Sequence, residues 1–232
     1  MLDVMKKDII ICIGTIGSIT FDKCYRSVQE IAKNNARVKR VVVIRNKSPQ
    51  SEWLNEMRLQ SNGYRWCLQV DEDMYLKKRA LSVLLKFAER KEAEGIRVLN
   101  ASSLLYDLFL ETGVGSLKLW SANALQALEF RDVLGGDRDF AKRAKEKGYE
   151  NIDINEILGK HDSAPNAAVA FKKFFEYTQK IRKFSGEKKA IEFNLFLKNK
   201  FIKNNSFINK KAYDGSSFGL KCRIENKSKG GP

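Results

Sequence analysis

The chain has 232 residues, with a single histidine, three prolines and four cysteines. Each scarcity excludes something. One imidazole, His161, cannot build a site that needs two, which removes H-E-x-x-H zinc proteases. Cys12, Cys24, Cys67 and Cys222 form no C-x-x-C pair, and Cys12 and Cys67 lie inside apolar runs. Buried free thiols in a reducing compartment are expected, and a cytoplasmic location with them. No apolar run reaches the roughly eighteen residues that a bilayer span needs. Residues 1–8 lack the long apolar core and small-residue cleavage site of a secretory signal. The small-residue turn Gly14-Thr15-Ile16-Gly17-Ser18 lacks the third glycine of G-x-G-x-x-G, and neither a G-K-[ST] P-loop nor a G-x-S-x-G elbow occurs.

Positive charge, by contrast, is abundant and unevenly placed. The net charge is +15, and residues 171–232 carry 16 Lys+Arg against 5 Asp+Glu. The first 170 residues are close to balanced, with 27 basic and 23 acidic groups. The front reads as an ordinary globular domain. The back is a basic segment interleaved with Phe, suited to an anionic lipid surface, nucleic acid or an anionic polymer.

Hydrophobic periodicity organises the front. Residues 8–13 and 40–44 read as buried strands, and 64–70 as a third. Between them Phe21, Cys24, Tyr25, Val28 and Ile31 share a helical face, and 52–60 reads as a second helix; Ala80 to Ala88 follows as a third. Strand–helix alternation of this kind predicts an α/β fold with a mostly parallel sheet. Beyond residue 95 the pattern loosens: strands are expected near 96–101, 116–120 and 151–157, a helix over 140–147 closed by Gly148, and a long amphipathic helix over 167–184. After Gly186 a packed arm and a surface-binding helix both fit. The expected division is a catalytic domain over 1–164 and a basic helical extension over 165–232.

The third strand stops at Asp71-Glu72-Asp73. Open α/β sheets place ligands at strand ends. Residues two apart on an extended chain point the same way, so Asp71 and Asp73 are placed to share one hard cation, Mg²⁺ or Mn²⁺, of the kind that holds phosphates. A solvated acidic turn is the plain alternative.

These features together resemble a GT-A type glycosyltransferase, similar to the inverting family-two group. The resemblance rests on the strand–Thr15-Ile16-Gly17-Ser18–helix start, on Val70-Asp71-Glu72-Asp73-Met74-Tyr75-Leu76 with Ala80-Leu81 behind it, on Gly135-Gly136-Asp137-Arg138-Asp139-Phe140 with Arg143 and Gly148-Tyr149, and on His161. It implies a GT-A fold and transfer of a sugar, with inversion, from a nucleotide-sugar donor to a glycan or lipid-linked acceptor. Donor-binding residues would be Thr15, Ile16, Gly17, Ser18, Arg45, Asp71 and Glu72. Metal ligands for Mn²⁺ or Mg²⁺ would be Asp71, Asp73 and His161. Asp137 would be the catalytic base, with Asp139 as the alternative if the register shifts by two. Gly136 stands where the family usually has Glu, and Lys77-Lys78-Arg79 where it usually has Pro. By itself, Asp137 also reads as a helix N-cap and His161 as a surface histidine beside Asp162. The family's lipid-linked acceptors and the basic tail together imply peripheral attachment at the inner face of a membrane.

Two other readings stay open. A nucleotidyltransferase shares the scaffold and the paired carboxylates, but normally has a basic phosphate loop, and residues 14–20 hold no Lys or Arg. Nucleic-acid binding through the tail is disfavoured, because the tail shows no recognition motif.

Overall fold

The computed structural model describes residues 7–224 and divides into two compact units, one ending at His161 and the other beginning at Asp162. The first unit holds β1 (Lys7–Thr15), α1 (Phe21–Lys33), β2 (Val38–Arg45), α2 (Gln50–Gln60), β3 (Tyr64–Asp71), β4 (Met74–Leu76), α3 (Ala80–Ala93), β5 (Val98–Asp107), β6 (Thr112–Ser121), α4 (Ala122–Gln126), α5 (Gly136–Lys145) and β7 (Glu150–His161).

Its seven strands form one sheet in the order β2-β1-β3-β6-β5-β7-β4. The neighbours β2–β1–β3 and β5–β7 run parallel; β6 runs antiparallel to β3 and β5, and β4 antiparallel to β7. The later strands are longer than the apolar runs that announce them. Only Glu72 and Asp73 separate β3 from β4, although β6, β5 and β7 lie between them in the sheet. The sheet therefore bends sharply enough to bring its β4 edge back to the end of β3.

Alternation along β1 builds two cores. Ile9, Ile11 and Ile13 face one way, packing with Cys24, Val28 and Ile31 of α1 and Leu81, Leu84 and Leu85 of α3. Ile10 and Cys12 face the other way, toward Trp53, Leu54 and Met57 of α2 and toward Trp120, Phe130 and Phe140. Burying each of these large side chains contributes on the order of 1.5–3 kcal/mol. Two-faced burial is why β1 reads as an unbroken apolar run. Cys12, Cys24 and Cys67 are buried free thiols.

Among the described residues the second unit is three helices, α6 (Ala167–Ser185), α7 (Glu187–Lys203) and α8 (Phe207–Lys221). Asn166 caps α6 by accepting from the Val169 N–H, and Ser206 caps α8 by accepting from the Asn209 N–H. Helices α6 and α8 meet backbone to backbone. A Cβ on Gly215 would stand 2.1 Å from the Phe171 carbonyl oxygen, and one on Gly219 2.9 Å from that of Phe175. Polar groups lock the seam: Thr178 donates to the Ser216 hydroxyl, and Gln179 to the Gly219 carbonyl. The segment after Gly186 is thus a packed helical pair. No helix among the described residues is long and apolar enough to cross a membrane.

Candidate active site

The ladder puts Gly14 of β1 beside Ile44 of β2 on one side and Asp71 of β3 on the other, with Arg45 paired to Thr15. The turn after β1, the end of β2 and the acidic triplet therefore share one edge of the sheet. The extended-chain argument for Asp71 and Asp73 does not hold, because β3 ends at Asp71 and Glu72–Asp73 form a turn. The two carboxylates belong to different local structures.

Glu72 does something the sequence did not suggest. Its carboxylate accepts from the Thr15 hydroxyl, from the Ile16 N–H at 3.3 Å and from the Ser18 N–H at 2.8 Å. The Gly17 N–H in turn goes to Thr15 Oγ1 at 3.0 Å. The three successive N–H groups of Ile16, Gly17 and Ser18 are thus engaged inside the protein. Gly17, at φ +87°, supplies the left-handed residue that lets the turn close on itself. The loop is built by Glu72, while Ile16 and Ile19 project outward, 51% and 74% exposed. Arg45 is exposed and holds its guanidinium 4.9 Å from the Phe21 ring centre.

A second constellation comes from strand register. His161 ends β7, opposite Met74 of β4 and Asp107 of β5. That register sets three residues far apart in sequence side by side. His161 is buried, contrary to the surface-histidine alternative, because β4 and β5 flank it. Its Nδ1 lies 2.7 Å from Asp107 Oδ2, and its Nε2 lies 3.2 Å from Asp73 Oδ2. Asp107 is fully buried, and its other oxygen accepts the Phe109 and Leu110 N–H groups at 3.0 and 2.7 Å. A carboxylate so furnished is an acceptor, so Nδ1 carries the proton. Nε2 then faces a carboxylate oxygen. Only a cation between them, a proton or a metal ion, makes that contact favourable.

The local charge supports the same conclusion. The buried Cys24 thiol is pushed up to about 12, first by desolvation and then by Asp71, Asp73 and Glu72 acting in that order. All three carboxylates of the triplet therefore act on the thiol of α1. Among the described residues no three His, Cys, Asp or Glu side chains are gathered as a ready-made metal cage. Asp73 and His161 form a two-ligand pair of the right chemistry for Mn²⁺ or Mg²⁺, and Asp71 ends β3 two residues before Asp73.

Asp137 and Asp139 are both in the first turn of α5, whose N-cap is Gly135 at φ +77°. They differ in company. Asp139 is braced by Arg143 at 2.8 Å and faces Arg131 at 4.0 Å. Asp137 meets Lys118 Nζ of β6 at 2.7 Å, and Lys118 also lies 5.7 Å from the Trp120 ring centre. Gly136, in place of an acidic residue, is tightly enclosed: a Cβ there would stand 3.1 Å from the Arg131 carbonyl oxygen.

Sequence reading missed Asp107 and Lys118. Asp107 carried a usable signal, an apolar strand Leu104-Leu105-Tyr106 ending in a carboxylate, the same pattern that marks Asp71. Lys118 carried none.

The fold is of the GT-A type. The chain is similar in structure to a mannosyltransferase from Pyrobaculum calidifontis solved with GDP-Man and Mn²⁺, at a TM-score of 0.57 and 12% identity over 75% of this chain. It spans 63% of that protein's length. It is also similar to the glucosyl-3-phosphoglycerate synthase of Mycobacterium tuberculosis solved with Mg²⁺ and UDP, at a TM-score of 0.55 and 9% identity, covering 76% of this chain and 79% of the other. No protein-family model and no curated protein sequence matches the chain.

Proposed function

We propose that this protein is a metal-dependent glycosyltransferase that moves a sugar from a nucleotide-sugar donor to an acceptor hydroxyl. The observation that carries the proposal is the Asp107–His161–Asp73 array at the ligand edge of a GT-A sheet. The similar proteins were solved with nucleotide ligands and Mn²⁺ or Mg²⁺, which agrees with the reading.

Asp73 and His161 would hold the divalent ion, which when bound supplies positive charge to the departing diphosphate. Asp107 fixes the imidazole tautomer so that Nε2 offers its lone pair. Asp71 adds negative charge that favours cation entry. Glu72 keeps the Thr15–Ser18 turn in one shape, so that the exposed Ile16 and Ile19 and the cationic Arg45 present a fixed wall to the nucleotide. Asp137 would take the acceptor proton, its carboxylate positioned by Lys118. Asp139, committed to Arg143, braces α5. The acceptor class implied by the resemblance, a glycan or lipid-linked hydroxyl, belongs to the proposal, as does inversion at the anomeric carbon.

The test is calorimetric titration of GDP- and UDP-sugars with Mn²⁺ and with EDTA, followed by product analysis. Mn²⁺-dependent donor binding supports the reading. Equal binding with EDTA, or none in either case, overturns it.

A further inference from the structure

The second unit presents large apolar side chains to solvent in an ordered pattern. On α7, Ile191, Leu195 and Ile202 are 45%, 50% and 68% exposed. Their spacing of four and then seven residues puts them within about 40° of one another around the helix, at roughly 100° per residue. The packed face of α7, carrying Ala190 and Leu197, lies about a third of a turn away. Lys188 and Lys198 flank the stripe on either side.

The stripe leads to the turn that joins α7 to α8. There Ile202 and Phe207, the latter 65% exposed, stand on opposite sides of the three residues Asn204–Ser206. Lys200, Lys203, Lys210 and Lys211 lie within four residues of one or the other in sequence, and the Lys211 ammonium stands 5.4 Å from the Phe207 ring centre. Exposed side chains of this size cost solvation unless something covers them, and single ones are common; several aligned on one stripe with a basic border are a contact surface.

We infer that this α7 face and the α7–α8 turn form an attachment surface for an anionic lipid bilayer. Charge selects the occupant. Residues 171–232 carry a net +11, so a second copy would meet like charge. Nucleic acid would satisfy the lysines and find one stacking plane in Phe207, but the aliphatic stripe of Ile191, Leu195 and Ile202 offers bases none. A bilayer with acidic headgroups satisfies both parts at once: lysines at the headgroup level, Ile202 and Phe207 below it. The inference is independent of the catalytic reading, since it uses no residue of the first unit.

Co-sedimentation of the full chain with vesicles tests it, using phosphatidylglycerol mixed with phosphatidylcholine against pure phosphatidylcholine. The chain should bind the anionic vesicles at low salt and far more weakly at high salt, and should largely ignore the neutral ones. Lys203→Gln and Lys210→Gln should each weaken binding about fivefold. The double variant Ile202→Ser, Phe207→Ser should weaken it tenfold or more; both positions are exposed, so an unchanged melting temperature verifies the fold. Failure of the parent to bind anionic vesicles overturns the inference. Parent-like binding by the Ile202/Phe207 variant also overturns it, leaving a purely electrostatic arm. A low-salt dimer abolished by that variant, in a chain indifferent to vesicles, would assign the face to a second copy instead.

Discussion

Single side chains decide whether the candidate site can work. Asp107 never touches a ligand in the proposed scheme, yet it fixes which nitrogen of His161 is free. Asp107→Asn offers one amide oxygen where a carboxylate served three donors, so the imidazole loses its orientation. Mn²⁺ affinity should fall about 10–100-fold, the usual scale for such a supporting partner. His161→Ala should lose at least as much. Isothermal titration with Mn²⁺ and donor reads both, and unchanged affinity in Asp107→Asn would remove the orienting role. Glu72→Gln tests the loop differently. The amide keeps one acceptor oxygen and replaces the other with a donor facing the Thr15 turn. Donor KM should rise about tenfold, matching roughly 1.4 kcal/mol for a lost charge-assisted bond, with kcat little changed. A drop confined to kcat would place Glu72 in the chemistry instead. For the base, Asp137→Asn should cut turnover about a hundredfold or more while leaving donor affinity intact. If Asp139→Asn is the dead variant and Asp137→Asn stays active, the roles are exchanged.

Elements position these residues through register, and register is the part of the fold that the sequence could not disclose. The strand–helix alternation over residues 8–88 is legible because buried parallel strands are continuous apolar runs between amphipathic helices. The ends of β5 and β7 were not legible. Both strands extend past the expected runs, β5 from 101 to Asp107 and β7 from 157 to His161, and polar pairs such as Ser102–Asp153 hydrogen-bond across their ladder. Local periodicity says nothing about such cross-strand pairs. Hence His161 could be read as a surface residue, and Asp107 not read at all. Conversely, the acidic triplet was visible but its geometry was misjudged, because a two-residue turn joining β3 to β4 leaves no hydrophobic trace. Gly159 is the element-scale test. A Cβ there would stand 2.6 Å from the Tyr75 carbonyl oxygen and 2.8 Å from Leu105 Cδ2. β4, β7 and β5 can close around His161 only because position 159 is bare. Gly159→Ala should cost about 1–3 kcal/mol, as overpacking does. It should also weaken Mn²⁺ binding, since His161 lies two residues on. A stability-neutral Gly159→Ala, measured by chemical denaturation, would show that the strands have room to shift.

For the molecule as a whole, charge is the dominant variable. At +15 the chain carries a repulsive burden that grows as its 28 carboxyls protonate. Opposing this at one end of the first unit is a cluster that ties β1, the approach to β2 and α3 together. Arg37 binds Asp8 through Nε and Glu89 through its terminal nitrogen, and Arg65 reaches Glu89 at 3.6 Å. The Glu89 carboxyl is held below its ordinary range, first by the hydrogen bond from Arg37 and further by the charges of Arg37 and Arg65, against a partial desolvation cost. Its folded value lies below its unfolded one. The contribution to stability is therefore fully present above about pH 4.5, near the unfolded value, and is lost as pH falls through the folded one. Both partners are about a third exposed, so solvent screening limits the contribution to no more than about 1 kcal/mol. Glu89→Gln should therefore melt a few degrees below the parent at pH 7. The gap should narrow steadily below pH 4.5 and vanish once Glu89 is protonated in the folded parent. Parallel melting curves for the two proteins from pH 7 to pH 3 would mean that Arg37 shifts Glu89 equally in the unfolded chain, and that the cluster adds nothing to acid resistance.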